Sequence, residues 1–405
     1  MSICKNRLIT PEGTKDYLYE EAMTRRNVEM KLRELYEHHG FYEVVTPGLE
    51  FLDVFNVKGH SIPIEYMYKL VDTKGRLMVL RPDSTMPIAR LIATRLKSQQ
   101  LPIRLYYNQT VYSATRSMSG RSDETMQTGI ELIGKSSLKA DLEVITTAMQ
   151  ALLKCKQKTF RLEIGHIGIF NTLVNALKIN DEIKEQIRLL IESKNYPALN
   201  DLLDSLGNSY EVSVIKQLPR LFGDKNVFKK AASIINDKET IAILNYLEKI
   251  YENLQKLGLS DRITVDLGIV NRTDYYTGVV FKGYIEGCGE EVLSGGRYDS
   301  LISQFGEDVG AIGFAINVDA VAKALLQEYK PPIVRASVIV FCEEGYEIEG
   351  IRYLQEISDN TFCEFSIFDT LEETKQYAIE KDIAKVAIVG KEIKTIELER
   401  KKQSE

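Results

Sequence analysis

The chain has 405 residues, 44% hydrophobic and 27% charged, the balance of a folded globular protein of two or three domains rather than a disordered one. No run approaches the ~18 consecutive apolar residues of a membrane span, and the basic start has no apolar stretch behind it, so neither a membrane helix nor a signal peptide is expected. The net charge of −6 sits in the tail: residues 331–405 hold 10 basic and 16 acidic side chains, leaving 42 of each sign in residues 1–330, which argues against a basic nucleic-acid face there.

In chain order, residues 19–39 read as an amphipathic helix. Val28, Leu32, Leu35 and Tyr36 fall at i, i+4, i+7 and i+8, and Gly40 stands at the expected stop. Residues 41–47 are β-rich and end at Pro47, as an edge or interface strand does. A short strand over 77–80 runs into Arg81-Pro82-Asp83-Ser84-Thr85, and a helix is predicted from Pro87 to about Leu96. Strands over 104–112 and 126–133, joined by a polar loop, precede a helix over 139–154. About 171–258 the pattern turns to short helices, read as a helical insertion. Strand character returns at 263–270, 275–285, 291–294 and 310–316. After Lys330-Pro331-Pro332, strands over 338–341, 365–368 and 386–389 alternate with helical stretches, predicting a small α/β domain over 333–405.

The five cysteines are scattered with no CxxC pair, and His38 and His39 are neighbours on one helix, roughly 100° apart. This usage predicts a reducing, cytoplasmic setting and no metal site. Residues 129–136 match the phosphate-loop pattern GxxxxGK[ST]. That chemistry needs a flexible turn after a strand, whereas the four intervening residues are themselves strand formers, so the match is read as a decoy.

Within the same strand, Gln127, Gly129 and Glu131 alternate onto one face, with Ile130 and Leu132 on the other. An amide and a carboxylate flanking a glycine make a floor for a small polar ligand, or simply a half-solvated sheet face. Asp83-Ser84-Thr85 alone reads as a helix N-cap. Two further runs join them: Asp274-Tyr275-Tyr276-Thr277-Gly278 at the head of a strand, and a paired-glycine turn in Ser294-Gly295-Gly296-Arg297-Tyr298-Asp299.

The order of these segments resembles the class II aminoacyl-tRNA synthetase fold, specifically histidyl-tRNA synthetase, from about Thr10 to Ala324. Residues 41–50 look like its dimer-forming first motif, and Arg81-Pro82-Asp83-Ser84-Thr85 is similar to its Arg-Pro-Glu-Gly-Thr. Arg104-Leu105-Tyr106-Tyr107 resembles the opening of its second motif, and the Asp274 and Gly295 runs fall on its histidine-specific segments. The resemblance implies an α+β fold, with an antiparallel sheet flanked by helices over residues 1–325. It also implies a histidine-like pocket of Asp83, Thr85, Gln127, Glu131, Tyr275 and Tyr276.

Three departures change the expected chemistry. Ser113, Asn271 and Ala320 stand where an active synthetase carries the arginines of adenylation. Arginine forks on phosphate have no substitute in Ser, Asn or Ala, and losing one preorganised cation typically costs ~10²–10³ in rate. A synthetase-like body without them resembles the family of regulatory subunits of ATP phosphoribosyltransferase. That resemblance implies no catalysis by this chain and no cofactor. It implies assembly with a short-form ATP phosphoribosyltransferase catalytic subunit, and histidine as feedback effector. The apolar strand ending at Pro47 adds the expectation of a homodimer core within a hetero-oligomer, and the acidic tail, similar to a shortened anticodon-binding domain, that of no tRNA role.

Overall fold

α1 (Tyr19–His38) buries Val28, Leu32 and Tyr36 on the stripe that their spacing marks out, and ends at Gly40, whose φ of +76° favours glycine. The computed structural model describes residues 8–57, 63–114, 122–157, 159–270 and 275–398. The chain divides into two units, Met1–Lys330 and Pro331–Glu405.

In the first unit α1 is followed by β1 (Tyr42–Glu43), β2 (Leu49–Phe51), β3 (Lys69–Val71), β4 (Leu77–Leu80), α2 (Thr85–Thr94), β5 (Ile103–Tyr112), β6 (Glu124–Gly134), α3 (Leu138–Lys154) and β7 (Phe160–His166). A helical run comes next: α4 (Ile167–Ala176), α5 (Asp181–Glu192), α6 (Tyr196–Ser205), α7 (Tyr210–Gln217), the two-residue β8 (Phe222–Gly223), α8 (Asn226–Ile234) and α9 (Lys238–Lys256). β9 (Ile263–Asp266), β10 (Val279–Ile285), β11 (Leu293–Arg297), α10 (Asp299–Ser303), β12 (Gly310–Asn317) and α11 (Val318–Glu328) complete it.

These strands build a nine-stranded sheet in the order β1-β5-β6-β12-β11-β10-β7-β9-β8, and a three-stranded sheet β2-β4-β3. Pairing is antiparallel from β5 through β7 and parallel at β1–β5 and β7–β9. This is the expected α+β architecture. β6 alternates cleanly: Ile130 and Leu132 pack in the core with Leu32, Tyr36 and Val144, while Ile133 joins Tyr107, Tyr275 and Tyr298 in a second cluster on the opposite face. The candidate pocket lies on that second face.

Several expectations need correction. β1 is two residues long, because Thr46 leaves the ladder and donates its backbone N–H to Gln109 Oε1 at 2.8 Å. α2 begins at Thr85, two residues before the expected start, since Asp83 Oδ1 accepts from the Met86 N–H at 2.9 Å. The paired glycines do not form a turn. Gly295 and Gly296 lie within β11, where a Cβ would stand 2.6 Å from the Gly313 carbonyl oxygen or 2.7 Å from the Tyr276 ring. β10 starts only at Val279, so Tyr275 and Tyr276 precede the strand. β6 runs unbroken through Gly134 between two partners, which leaves the phosphate-loop match no loop.

The second unit holds β13 (Val338–Cys342), α12 (Glu347–Ser358), β14 (Cys363–Phe365), α13 (Leu371–Glu380), β15 (Lys385–Val389) and β16 (Ile393–Glu397). Its sheet runs β14-β13-β15-β16, parallel except for β16. One face packs Val340, Ala387 and Val389 against Leu354 and Ile357 of α12, and the other packs Ile339 and Val386 against Ala378 of α13. Among the described residues no helix is long and apolar enough to cross a membrane.

Candidate functional site

Glu131, 1% exposed, is the centre of the site. Its Oε1 accepts from Thr85 Oγ1 at 2.8 Å, and its Oε2 accepts from the Tyr298 hydroxyl. Room for the carboxylate comes from Gly313, its register partner on β12, where a Cβ would stand 1.8 Å from Oε2. Burial pushes the Glu131 carboxyl up to about 8 against the pull of its two donors, and the nearby Asp83 adds to the rise.

Four phenols surround it. Tyr275 packs on Tyr276 at 4.9 Å and on Tyr298 at 5.8 Å between ring centroids. Tyr107 lies over Gly129, where a Cβ would meet its hydroxyl at 2.7 Å. Burial raises the titration of Tyr107, Tyr275, Tyr276 and Tyr298 above the ordinary phenol value. All four therefore stay neutral at physiological pH and serve as hydrogen-bonding aromatic walls.

Of the six residues expected in the pocket, the fold brings Asp83, Thr85, Glu131, Tyr275 and Tyr276 together. Gln127 shares the strand face with Glu131 but stands four residues away. Asp83 caps α2 and is close enough to Glu131, Tyr275 and Tyr276 to influence their titration. Asp274 lies outside the described residues. Tyr107 and Tyr298 were absent from the expected set. Both are legible only through tertiary structure: Tyr107 is opposite Gly129 in register, and Tyr298, just past the end of β11, reaches the Glu131 carboxylate with its hydroxyl.

A separate polar cluster lies under the sheet. Arg297 Nε donates to Asp141 Oδ1 at 2.9 Å, and Asp141 also accepts from the Tyr246 hydroxyl at 2.5 Å. Burial, with Arg297 nearby, holds the His166 imidazole down at about 4, so it is neutral and its Nδ1 accepts from the Gly168 N–H. A cavity of about 990 Å³ opens beside it, lined by His166, Tyr210, Asp237, Tyr276 and Thr277 among others.

Two of the three positions where the resemblance expects arginines are described, and both carry neutral side chains. Ser113 is tied by its backbone to the Asp123 carbonyl at 2.8 Å. Ala320, 3% exposed, sits in the first turn of α11, capped by Asn317. The neighbouring Asp319 is paired with Arg25 at 2.7 Å. Asn271 is outside the described residues.

The family model for histidyl-tRNA synthetase matches residues 13–321. A curated protein of Clostridium novyi (strain NT), named ATP phosphoribosyltransferase regulatory subunit, is 40% identical over 95% of this chain and 93% of its own length. The chain belongs to the ATP phosphoribosyltransferase regulatory subunit family. A solved Bacillus halodurans structure described as an ATP phosphoribosyltransferase regulatory subunit/histidyl-tRNA synthetase aligns with a TM-score of 0.80 and 30% identity, covering 92% of this chain and 96% of that one. Histidyl-tRNA synthetase from Nostoc sp. PCC 7120 shares the fold at a TM-score of 0.75 and 21% identity, over 96% of this chain and 97% of that one. Within the regulatory-subunit family this chain thus keeps a synthetase-like body, with a closed acid-and-phenol cluster where the sheet face is deepest.

Proposed function

We propose that this chain is the non-catalytic regulatory subunit of an ATP phosphoribosyltransferase, acting in the cytoplasm at the first step of L-histidine biosynthesis. It assembles with a short-form catalytic subunit and transmits feedback by histidine through the pocket of Asp83, Thr85, Gln127, Glu131, Tyr275 and Tyr276. One observation carries the reading: the buried carboxyl of Glu131 keeps its two donors, Thr85 and Tyr298, while Ser113 and Ala320 are neutral where the resemblance expects arginines. Adenylation requires fixed cations on the nucleotide phosphates, and these two positions offer none.

A homodimer core fits the exposed apolar side chains Tyr42, Val45, Leu49 and Phe51, clustered on and around the expected dimer segment. The acidic tail speaks against a tRNA partner. Histidine-dependent exchange of pyrophosphate into ATP tests the absence of catalysis. The expected outcome is exchange at the level of a protein-free control, together with activation of a short-form transferase on mixing. Exchange well above that control, or no effect on the transferase, contradicts the proposal.

A further inference from the structure

The polar cluster under the sheet is tied to the pocket above it. Tyr298 carries its hydroxyl to Glu131 on the pocket face, and Arg297, one residue earlier, turns to the opposite face toward α3. There Arg297 is 6% exposed and Asp141 is fully buried. Arg297 Nε donates to Asp141 Oδ1 at 2.9 Å and Nη2 donates to the same oxygen, while Nη1 donates to Asp299 Oδ1 at 3.0 Å. The second oxygen of Asp141 accepts from the Tyr246 hydroxyl at 2.5 Å, so a residue of α9 in the helical insertion completes the cluster. A buried ion pair gives little stability over an apolar filling of the same volume. What this one fixes is position.

The aromatic walls of the pocket hang on it. Tyr275 and Tyr276 precede β10 and lie outside that strand. Their segment is laced to Arg297 and its neighbours: the Thr277 N–H donates to the Arg297 carbonyl at 2.7 Å, and Thr277 Oγ1 accepts from the Asp299 N–H at 2.9 Å. The Arg297 stem fills the space over Gly278, where a Cβ would stand 2.9 Å from Cδ, and the Tyr276 ring covers Gly296. From the insertion side, the Ile167 N–H at the start of α4 donates to the Gly278 carbonyl at 3.1 Å, and the His166 ring stands edge-on to Tyr246 with centroids 6.3 Å apart.

We propose that Arg297 is a positioning residue for the pocket and that, through Asp141 and Tyr246, it makes occupancy of the pocket felt in the helical insertion. The inference rests on the pocket binding histidine, as proposed above. Arg297 acts from the far face of the sheet, through Tyr276 and Tyr298. A ligand that holds those two phenols also holds the Arg297 backbone between them. The charge-assisted bonds to Asp141 are strong and directional, and in a close-packed interior they pass that restraint to α9 rather than absorb it. The coupling is reciprocal, so an insertion held by Tyr246 favours the occupied pocket by the same factor.

The test is hydrogen exchange on the full chain assembled with its catalytic partner, with and without saturating histidine, alongside histidine affinity by calorimetry. Wild type, Tyr246→Phe and Arg297→Lys are compared. In wild type, histidine is expected to slow exchange at least threefold both in residues 275–299 and in α9. Tyr246→Phe removes one hydroxyl: affinity and the slowing in 275–299 should persist, while the slowing in α9 falls to less than half. Arg297→Lys keeps the charge without the planar fork and should weaken histidine at least fivefold. A role in stability alone would leave the α9 response of Tyr246→Phe at half the wild-type level or more, and that result overturns the proposal. So does a wild-type response confined to 275–299, or a loss below fivefold in Arg297→Lys. Should Arg297→Lys not fold, Tyr246→Phe decides. These results leave the pocket reading standing, whereas no binding of histidine to wild type overturns both.

Discussion

The Glu131 cluster and the positions where the resemblance expects arginines have been treated differently. At the deep end, Glu131 is enclosed by Thr85, Tyr298 and a wall of phenols, and two strand glycines, Gly129 and Gly313, exist there because nothing larger fits. At the expected arginine positions, Ser113 hydrogen-bonds through its backbone alone among the described residues, and Ala320 is a buried helix residue. A buried, partnered acid is costly to keep and has no value to a fold that could fill the space with Leu. Its presence in a chain with Ser113 and Ala320 at the expected arginine positions is what the proposal of recognition without chemistry rests on.

The sharpest way to break this contrast is to crowd the deep end. Gly313→Ala forces a methyl group onto the Glu131 carboxylate and the Ile130 carbonyl oxygen. Overpacking of this kind typically costs about 1–3 kcal/mol, so the urea midpoint should fall clearly and histidine binding should be lost with it. A midpoint indistinguishable from wild type would mean that the enclosure is loose.

A smaller effect separates burial from mere proximity. With its folded-state value raised to about 8, Glu131 keeps its proton in the native state at pH values where the unfolded chain has lost it. The native state then binds more protons, so stability falls as pH rises between about 4.5 and 8, by at most ~1.4 kcal/mol per pH unit. Glu131→Gln stays neutral throughout. Wild type should therefore lose stability relative to this variant between pH 5 and pH 8.5, read as the difference between the two urea midpoints. A constant difference across that range would show the carboxylate to be ionised and screened.

The smallest effect belongs to Ser113. Ser113→Ala removes a hydroxyl that holds nothing among the described residues, and should change stability by no more than about 0.5 kcal/mol. Histidine inhibition of the assembled transferase should be unaltered. A loss of inhibition here would relocate the effector site.

Sequence periodicity reached some of this arrangement and missed the rest for physical reasons. The stripe of α1 and the two faces of β6 were legible because spacing alone decides which side chains are buried. β7 escaped notice: it is a short strand bridging two elements of different character, though Phe160, Leu162 and Ile164 alternate inward in it. The glycines of β11 read as a turn because their reason for being glycine, the rings of Tyr276 and Phe281 above and below, lies outside the local run. Tyr107 and Tyr298 were invisible as pocket walls for the same cause, since cross-strand register is not written in any local pattern. The family motifs located the Asp83 and Glu131 segments, but not how completely Glu131 is enclosed.

The most direct test of the central claim is histidine inhibition of the transferase assembled with wild-type chain and with Glu131→Ala, with complex formation monitored by sedimentation. Intact assembly with inhibition weakened at least tenfold is the expected result. Intact assembly with unchanged inhibition would show that the enclosed acid is an inherited relic and that histidine acts elsewhere.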